Sequence, residues 1–300
     1  MSNRRKSIWR MERVSAAVVA VVALSIVLGS RPAAGSLSLL PAGPQLGTHV
    51  GNLVVNGSFE ANAPPPGPPL WFWATGTSSL PFLLPAAWQS SGSANAYAHW
   101  GSDSVSPPYR IAGSDVLPHG HAGMYFGNAA TTVDLAPTFN ASREVTFSGT
   151  PTFTMLYGQP VRLWQTVPTH LNPSPAYLLS FWASGEQAGN FIGGPGHDGI
   201  FGLRLTNVLS GDPIQYLVVP SGGSSPFGAS TRYEFLFTPL DPSQPVVVEF
   251  INWGHLDLSN HGGMGTTELV IDDVIVNAIP EPGAAGLLAG GLAFLGRRRR

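Results

Sequence analysis

An all-β sandwich or barrel is the fold class this sequence predicts, and three observations predict it. Between Gly47 and Ala278, short apolar runs alternate with clusters of Gly, Pro, Ser and Asn, and no helical period is sustained for more than a turn or two. Gly (36) and Pro (28) together make up about a fifth of the 300 residues, too many for long helices to dominate. Aromatic and β-branched residues, which favour pleated, half-buried surfaces, are plentiful.

The N-terminus carries Arg4, Arg5, Lys6, Arg10 and Arg13 ahead of the mostly apolar residues 16–29, with small residues at Ala33, Ala34, Gly35 and Ser36. This is the three-part layout of a secretory signal peptide over residues 1–35, and its apolar part is shorter than the roughly 20 residues of a spanning helix. A retained N-terminal anchor is the alternative. Export implies signal peptidase as a processing partner.

The body, residues 47–278, reads as one domain. Strands are expected at 53–55, 124–126, 145–147, 161–165, 176–184, 199–207, 214–219, 231–238, 246–252 and 267–277. Within RYEFLFTP, alternation places Tyr233, Phe235 and Phe237 on one face and Arg232, Glu234, Leu236 and Thr238 on the other. Trp164 and Trp182 lie inside strong strand patterns and are expected in the core. No repeat of 20 to 50 residues is present, which argues against a solenoid or propeller.

After residue 278 the chain changes character. Pro280, Glu281 and Pro282 precede the uncharged residues 283–296 and then Arg297, Arg298, Arg299 and Arg300. A helix of that length rises about 21 Å, short of a hydrocarbon core of roughly 30 Å, so it makes a weak span. The arginines hold its end on the cytoplasmic side, because moving them across the bilayer is costly.

Charge and cysteine usage exclude several classes. The net charge of −2 conceals an acidic body: between Gly35 and Ala278 five arginines face fifteen Asp and Glu. Phosphate affinity needs clustered cations, so no nucleic-acid role is expected. Without cysteine there is no disulfide, thiolate nucleophile or cysteine-ligated metal.

No motif announces catalysis. G-x-S-x-G, H-E-x-x-H and a phosphate loop opening a helix are all absent from the sequence. GGPGHDG at 193–199 reads as a rim loop. The histidines, among them His119, His121, His197 and His255, read as scattered surface side chains. Aromatics are the more informative feature. Trp71, Phe72 and Trp73 follow a PPPGPPL loop, and Trp88, Tyr97, Trp100 and Tyr109 come soon after. Sugars stack their C–H faces on such rings, so Trp71, Trp73 and Trp100 are the candidate glycan-binding residues, with burial in the core as the alternative.

Two resemblances extend this reading. The triplet, apolar run and arginine tail of residues 280–300 closely resemble the PEP-CTERM sorting signal of bacteria. That resemblance implies recognition by a membrane-embedded exosortase, a transient inner-membrane stage, and delivery to the cell envelope or extracellular matrix. An ordinary tail anchor is the alternative. In the body, NLVVNGSFE (52–60) and ELVIDDVIVNA (268–278) are similar to the opening and closing strands of galactose-binding-like jelly-roll domains, a superfamily with many carbohydrate-binding modules. LWQTVPTHLNPSPAYLLSFWASGE and GHAGMYFGN resemble its internal strands. The implied fold is a jelly-roll β-sandwich flanked by an N-terminal signal helix and a short C-terminal apolar helix.

In such a sandwich the first and last strands lie side by side, bringing Glu60 near Asp272 and Asp273. Adjacent carboxylates repel unless a cation neutralises them, and Ca²⁺, an oxygen-seeking ion, is the expected one. Related modules carry a structural calcium there. Strand alternation sends the two aspartates to opposite faces, so one of them is expected to serve. Solvent exposure or pairing with arginine is the alternative. The sequence therefore predicts an exported, non-catalytic envelope or matrix protein that binds polysaccharide. A structural or adhesive surface protein is the second reading, and a polysaccharide-active hydrolase the third.

Overall fold

The computed structural model describes residues 34–61, 72–73, 87–91, 97–102, 119, 122–127, 130–141, 143–157, 160–171, 174, 176–185, 199–219, 230–253, 255–256 and 269–279. Residues 1–33 of the signal segment, Trp71, His121, His197, Asp198, Asp257 and the whole sorting signal from Pro280 to Arg300 lie outside them. Among the described residues no helix is long and apolar enough to cross a membrane.

In chain order the first strands are β1 (Ser36–Leu39), β2 (Phe72–Trp73), β3 (Gln89–Ser91), β4 (Tyr97–Ser102), β5 (Ala122–Gly127), β6 (Ala130–Val133), β7 (Pro137–Phe139), β8 (Glu144–Phe147) and β9 (Phe153–Tyr157). Then come β10 (Val161–Val167), β11 (Ala176–Gly185), β12 (Gly199–Leu205), β13 (Ile214–Val219), β14 (Thr231–Thr238), β15 (Val246–Asn252), β16 (His255–Leu256) and β17 (Leu269–Ile279). Two seven-stranded antiparallel sheets result. The first runs β1-β14-β11-β17-β5-β4-β2 and the second β3-β10-β15-β12-β13-β8-β7. A small third sheet, β16-β6-β9, accompanies them.

The body is thus all-β, as expected, and the strands anticipated from residue 124 onward form near their expected bounds. The first sheet begins upstream of Gly47, because β1 pairs with β14 through Ser36 opposite Thr238 and Leu39 opposite Phe235. The strand expected at 53–55 does not form. Residues 54–59 are a run of turns and bends, with Asn56 at φ 52° and Phe59 at φ 58°.

Aromatic rings join the two large sheets. Phe181 of β11 stacks on Tyr233 at 5.4 Å and meets Phe250 and Phe201 of the second sheet edge-on, at 4.9 and 6.1 Å between centroids. Tyr233, Phe235 and Phe237 all point into this core, as alternation along β14 predicts. Their neighbours Glu234 and Leu236 are buried too, which alternation does not predict. The N-terminal segment explains it. Leu40 and Leu46 pack over Leu178, Leu236 and Ile279, and the N–H groups of Leu46 and Gly47 donate to Glu234 Oε1 at 2.9 and 3.3 Å.

Part of the second sheet's outer face is covered as well. Phe153 of β9 stacks on Trp253 at 4.4 Å, and both rings lie near Tyr216 of β13. The rest of that face is half-exposed at Arg162, Trp164 and Arg204.

Candidate functional site

Residues 52–60 form a strap across one end of the sandwich. The side chain of Asn52 stands in for a partner strand: its amide nitrogen donates to Val274 O at 3.1 Å, and its oxygen accepts from Val276 N at 2.8 Å. Backbone bonds from Leu53 N to Val276 O and from Val274 N to Gly57 O, both 2.8 Å, continue the attachment to β17. On the opposite side Gln165 of β10 bonds both the N–H and the C=O of Val55, at 2.7 and 2.9 Å. Gln165 is a buried polar side chain with its partners supplied, which is the condition under which burial is tolerable. The strap therefore ties one sheet to the other. The N-terminal motif does lie beside the last strand, though as turns rather than as a strand.

Beneath the strap β17 carries an irregularity. The register against β11 shifts between Ser180 opposite Ile275 and Trp182 opposite Asp272, so one residue of β11 faces two of β17. Asp273, one of those two, has φ 52°, which marks a β-bulge. The bulge corrects the expectation that alternation would separate the aspartates. Both are buried, at 1% exposure for Asp272 and 4% for Asp273. Asp272 Oδ1 accepts the N–H of Asp273 at 2.6 Å, and its Oδ2 accepts the N–H of His119 at 3.2 Å. Asp273 Oδ1 lies 3.4 Å from His49 Nε2 and has no hydrogen-bond partner among the described residues.

Burial pushes the Asp272 carboxyl well above the usual carboxylate range; the negative charges of Asp273 and Glu60 add to this, against the two backbone N–H bonds that lower it. Glu60 is thus brought near the aspartates, as expected. The sign follows directly. A carboxyl with a raised native value binds its proton more tightly folded than unfolded, so its contribution is complete below the unfolded value and is lost as pH rises through the native one. In chelator, thermal melts of the unsubstituted chain and of Asp272→Asn should diverge as pH rises above the ordinary carboxylate range. The unsubstituted chain should lose more stability over that rise. Parallel profiles would show that Asp272 ionises without penalty.

A second arrangement lies on the outward face of the second sheet. In VRLWQTV of β10, Val161, Leu163, Gln165 and Val167 point inward, leaving Arg162, Trp164 and Thr166 outward. This corrects the expectation for Trp164, which is half-buried on the outer face rather than in the core. The parity it shares with Arg162 and Thr166 was the available signal. Register sets Trp164 between Gln89 of β3 and Glu249 of β15, with Arg204 of β12 next in the row. Glu249 is 4% exposed although its strand neighbours Val248 and Phe250 take the core side. Each of its oxygens holds a different arginine. Arg162 Nη1 reaches Oε1 at 3.2 Å, and both Nε and a terminal nitrogen of Arg204 reach Oε2 at 2.5 Å. A buried carboxylate thereby fixes two guanidiniums on the same face as a half-exposed indole, and each guanidinium keeps further N–H donors.

Trp182 likewise lies outside the core, on the outer face of the first sheet. Arg232 sits 5.5 Å from its ring centroid and donates to the carbonyl of Gly43 in the covering N-terminal segment. Trp88 is a core residue: it donates Nε1–H to Asn56 O at 3.1 Å and packs against Phe59 and Phe250. Of the tryptophans predicted to bind glycan, Trp73 and Trp100 lie on neighbouring strands at one edge of the first sheet, at register positions of opposite face. There β2 pairs with β4, placing Phe72 opposite Trp100 and Trp73 opposite His99.

No protein-family model and no curated protein matches the chain. Similar solved structures include a Stig cyclase from Fischerella sp. TAU, at 15% identity, covering 82% of this chain and 99% of that one, with a TM-score of 0.40. The K1 cleaved adhesin domain of Lys-gingipain from Porphyromonas gingivalis W83 is 11% identical over 65% of this chain and 93% of its own, with a TM-score of 0.35. The family 11 carbohydrate-binding module from Clostridium thermocellum, solved with a β-1,3-1,4-mixed-linked tetrasaccharide, is 10% identical over 70% and 97%, with a TM-score of 0.32.

Proposed function

We propose that this chain is an exported, non-catalytic polysaccharide-binding β-sandwich, sorted to the cell envelope or matrix through its PEP-CTERM segment by an exosortase. The observation that carries the binding reading is the fixed row of Trp164, Glu249 and Arg204 on the open part of the second sheet, with Arg162 beside it. An indole face offers a stacking platform for pyranose C–H groups. Two guanidiniums held by one buried carboxylate offer donors to hydroxyls without losing much side-chain freedom on binding. A few fixed polar groups around an aromatic surface are what orient a small polar ligand.

The test is retention on insoluble polysaccharides and a glycan array. Trp164→Ala is expected to reduce retention by about tenfold, the order of one good aromatic contact, while the melting temperature moves little. Trp73→Ala and Trp100→Ala examine the edge of the first sheet in the same assay. If no glycan retains the unsubstituted chain, the sugar reading fails and a structural or adhesive role takes its place. Turnover of a glycoside panel, abolished by one carboxylate substitution, would make the protein an enzyme. Export and sorting have their own readout: full-length chain in the cytosol with Met1 and Arg300 intact would overturn them.

A further inference from the structure

We propose that His49, His119 and Asp273 form a site for a borderline, nitrogen-accepting divalent metal, with Zn²⁺ as the natural occupant. The three residues come from distant parts of the chain: the segment leading into the strap, the segment before β5, and the bulge of β17. One ligand atom from each lies within 4.8 Å of the others. His49 Nε2 and Asp273 Oδ1 are 3.4 Å apart, and the imidazole centroids of His49 and His119 are 4.4 Å apart. Tetrahedral zinc with bonds of about 2.0–2.1 Å holds its ligand atoms about 3.3–3.5 Å from one another, so a small closure of the side chains suffices.

The independent observation is a pair of orphaned atoms. Asp273 Oδ1 and His119 Nδ1 are both buried, and neither has a hydrogen-bond partner among the described residues. Buried polar atoms in that state cost free energy, and a metal bound at this cluster removes the cost for Asp273 Oδ1, which faces His49 Nε2, and for His119 where Nδ1 is its ligand atom. The bulge has the same explanation. A left-handed aspartate in the middle of a strand is a backbone strain that persists when the surroundings over-determine it, and here it turns the carboxylate toward the two imidazoles. His49 is 51% exposed at its side chain, which leaves an entry route and a fourth position for water.

On this proposal zinc takes the place of the calcium expected from Glu60, Asp272 and Asp273. Calcium takes six to eight oxygens, whereas the unsatisfied carboxylate oxygen here faces imidazole nitrogens, and both oxygens of Asp272 already accept backbone N–H groups. Asp272 acts instead as a positioning residue. It bonds the backbone of His119 on one side and of Asp273 on the other, so it sets the distance between two of the ligands.

The experiment is titration of the EDTA-treated full-length chain with Zn²⁺ or with Ca²⁺, read by calorimetry and by thermal melting, with Co²⁺ as a spectroscopic stand-in. Zinc is expected to bind one to one and, at a hundredfold excess over Kd, to raise the melting temperature by about 5 °C or more. Co²⁺ should give the intense visible bands of a tetrahedral nitrogen–oxygen site. His119→Ala and the half-exposed His49→Gln should each weaken zinc by about tenfold or more, and Glu60→Gln should not. His49→Gln keeps the test decisive should His119→Ala fail to fold. Stabilisation by calcium alone, indifferent to both histidine variants, overturns the proposal in favour of an all-oxygen site. A melting temperature that neither ion moves overturns it outright. None of these outcomes depends on whether the protein binds glycan.

Discussion

Gly57→Ala is expected to cost about 3–5 kcal/mol and to lower the melting temperature by about 10 °C or more. A Cβ at this position would stand 1.9 Å from Val274 O and 2.9 Å from its carbonyl carbon. Both obstacles are backbone atoms of β17, so no side-chain rotation relieves the clash. The strap must lift, and with it go the bond from Val274 N to Gly57 O and the seating of Phe59, which is fully buried. Gly51→Ala supplies the control. Gly51 has φ 73° with nothing within 4 Å of an added Cβ, so it meets only the left-handed backbone penalty of about 1–2 kcal/mol. Thermal melts of the two variants side by side check this. Equal losses would show that the strap is not pressed against β17.

Phe181→Ala should lose about 3–5 kcal/mol in urea denaturation, and Phe181→Leu less than about 1.5 kcal/mol. Phe181 is fully buried, and its ring touches four others: Tyr233 and Phe235 of its own sheet, Phe201 and Phe250 of the facing one. Truncation leaves a cavity walled by rigid rings from both sheets, which cannot collapse into it without moving strands. Phe181 also lies between Ser180 and Trp182, where the ladder to β17 slips past the bulge at Asp273. Its loss should therefore weaken zinc binding as well. A loss below about 1.5 kcal/mol for the alanine variant would mean that the core repacks freely.

How much of this was legible in the residues differs from element to element. The strands from β10 to β15 were readable because each carries its own signal, an apolar run bounded by turn residues. Short strands such as β3 (QSS) and β7 (PTF) carry no such signal and exist because a long neighbour offers them an edge. For Trp164 the parity in VRLWQTV was present in the sequence, but a large apolar ring in a strong strand invites assignment to the core. His119 read as a surface residue because, beside His121, the sequence around it shows no third ligand. Its partners are His49 and Asp273, distant along the chain and adjacent only after folding.

The amino-acid order by itself determined that this chain is built of strands, that its body is acidic and cysteine-free, and that the motif at its start lies beside its last strand. Tertiary structure alone decided that Asp272 and Asp273 are buried together and that His49 and His119 converge on the second of them. Alternation is a local rule, set by the pleat of one strand. A bulge is a mismatch between two strands, so its position exists only once both are paired, and so does everything that the turned carboxylate can bind.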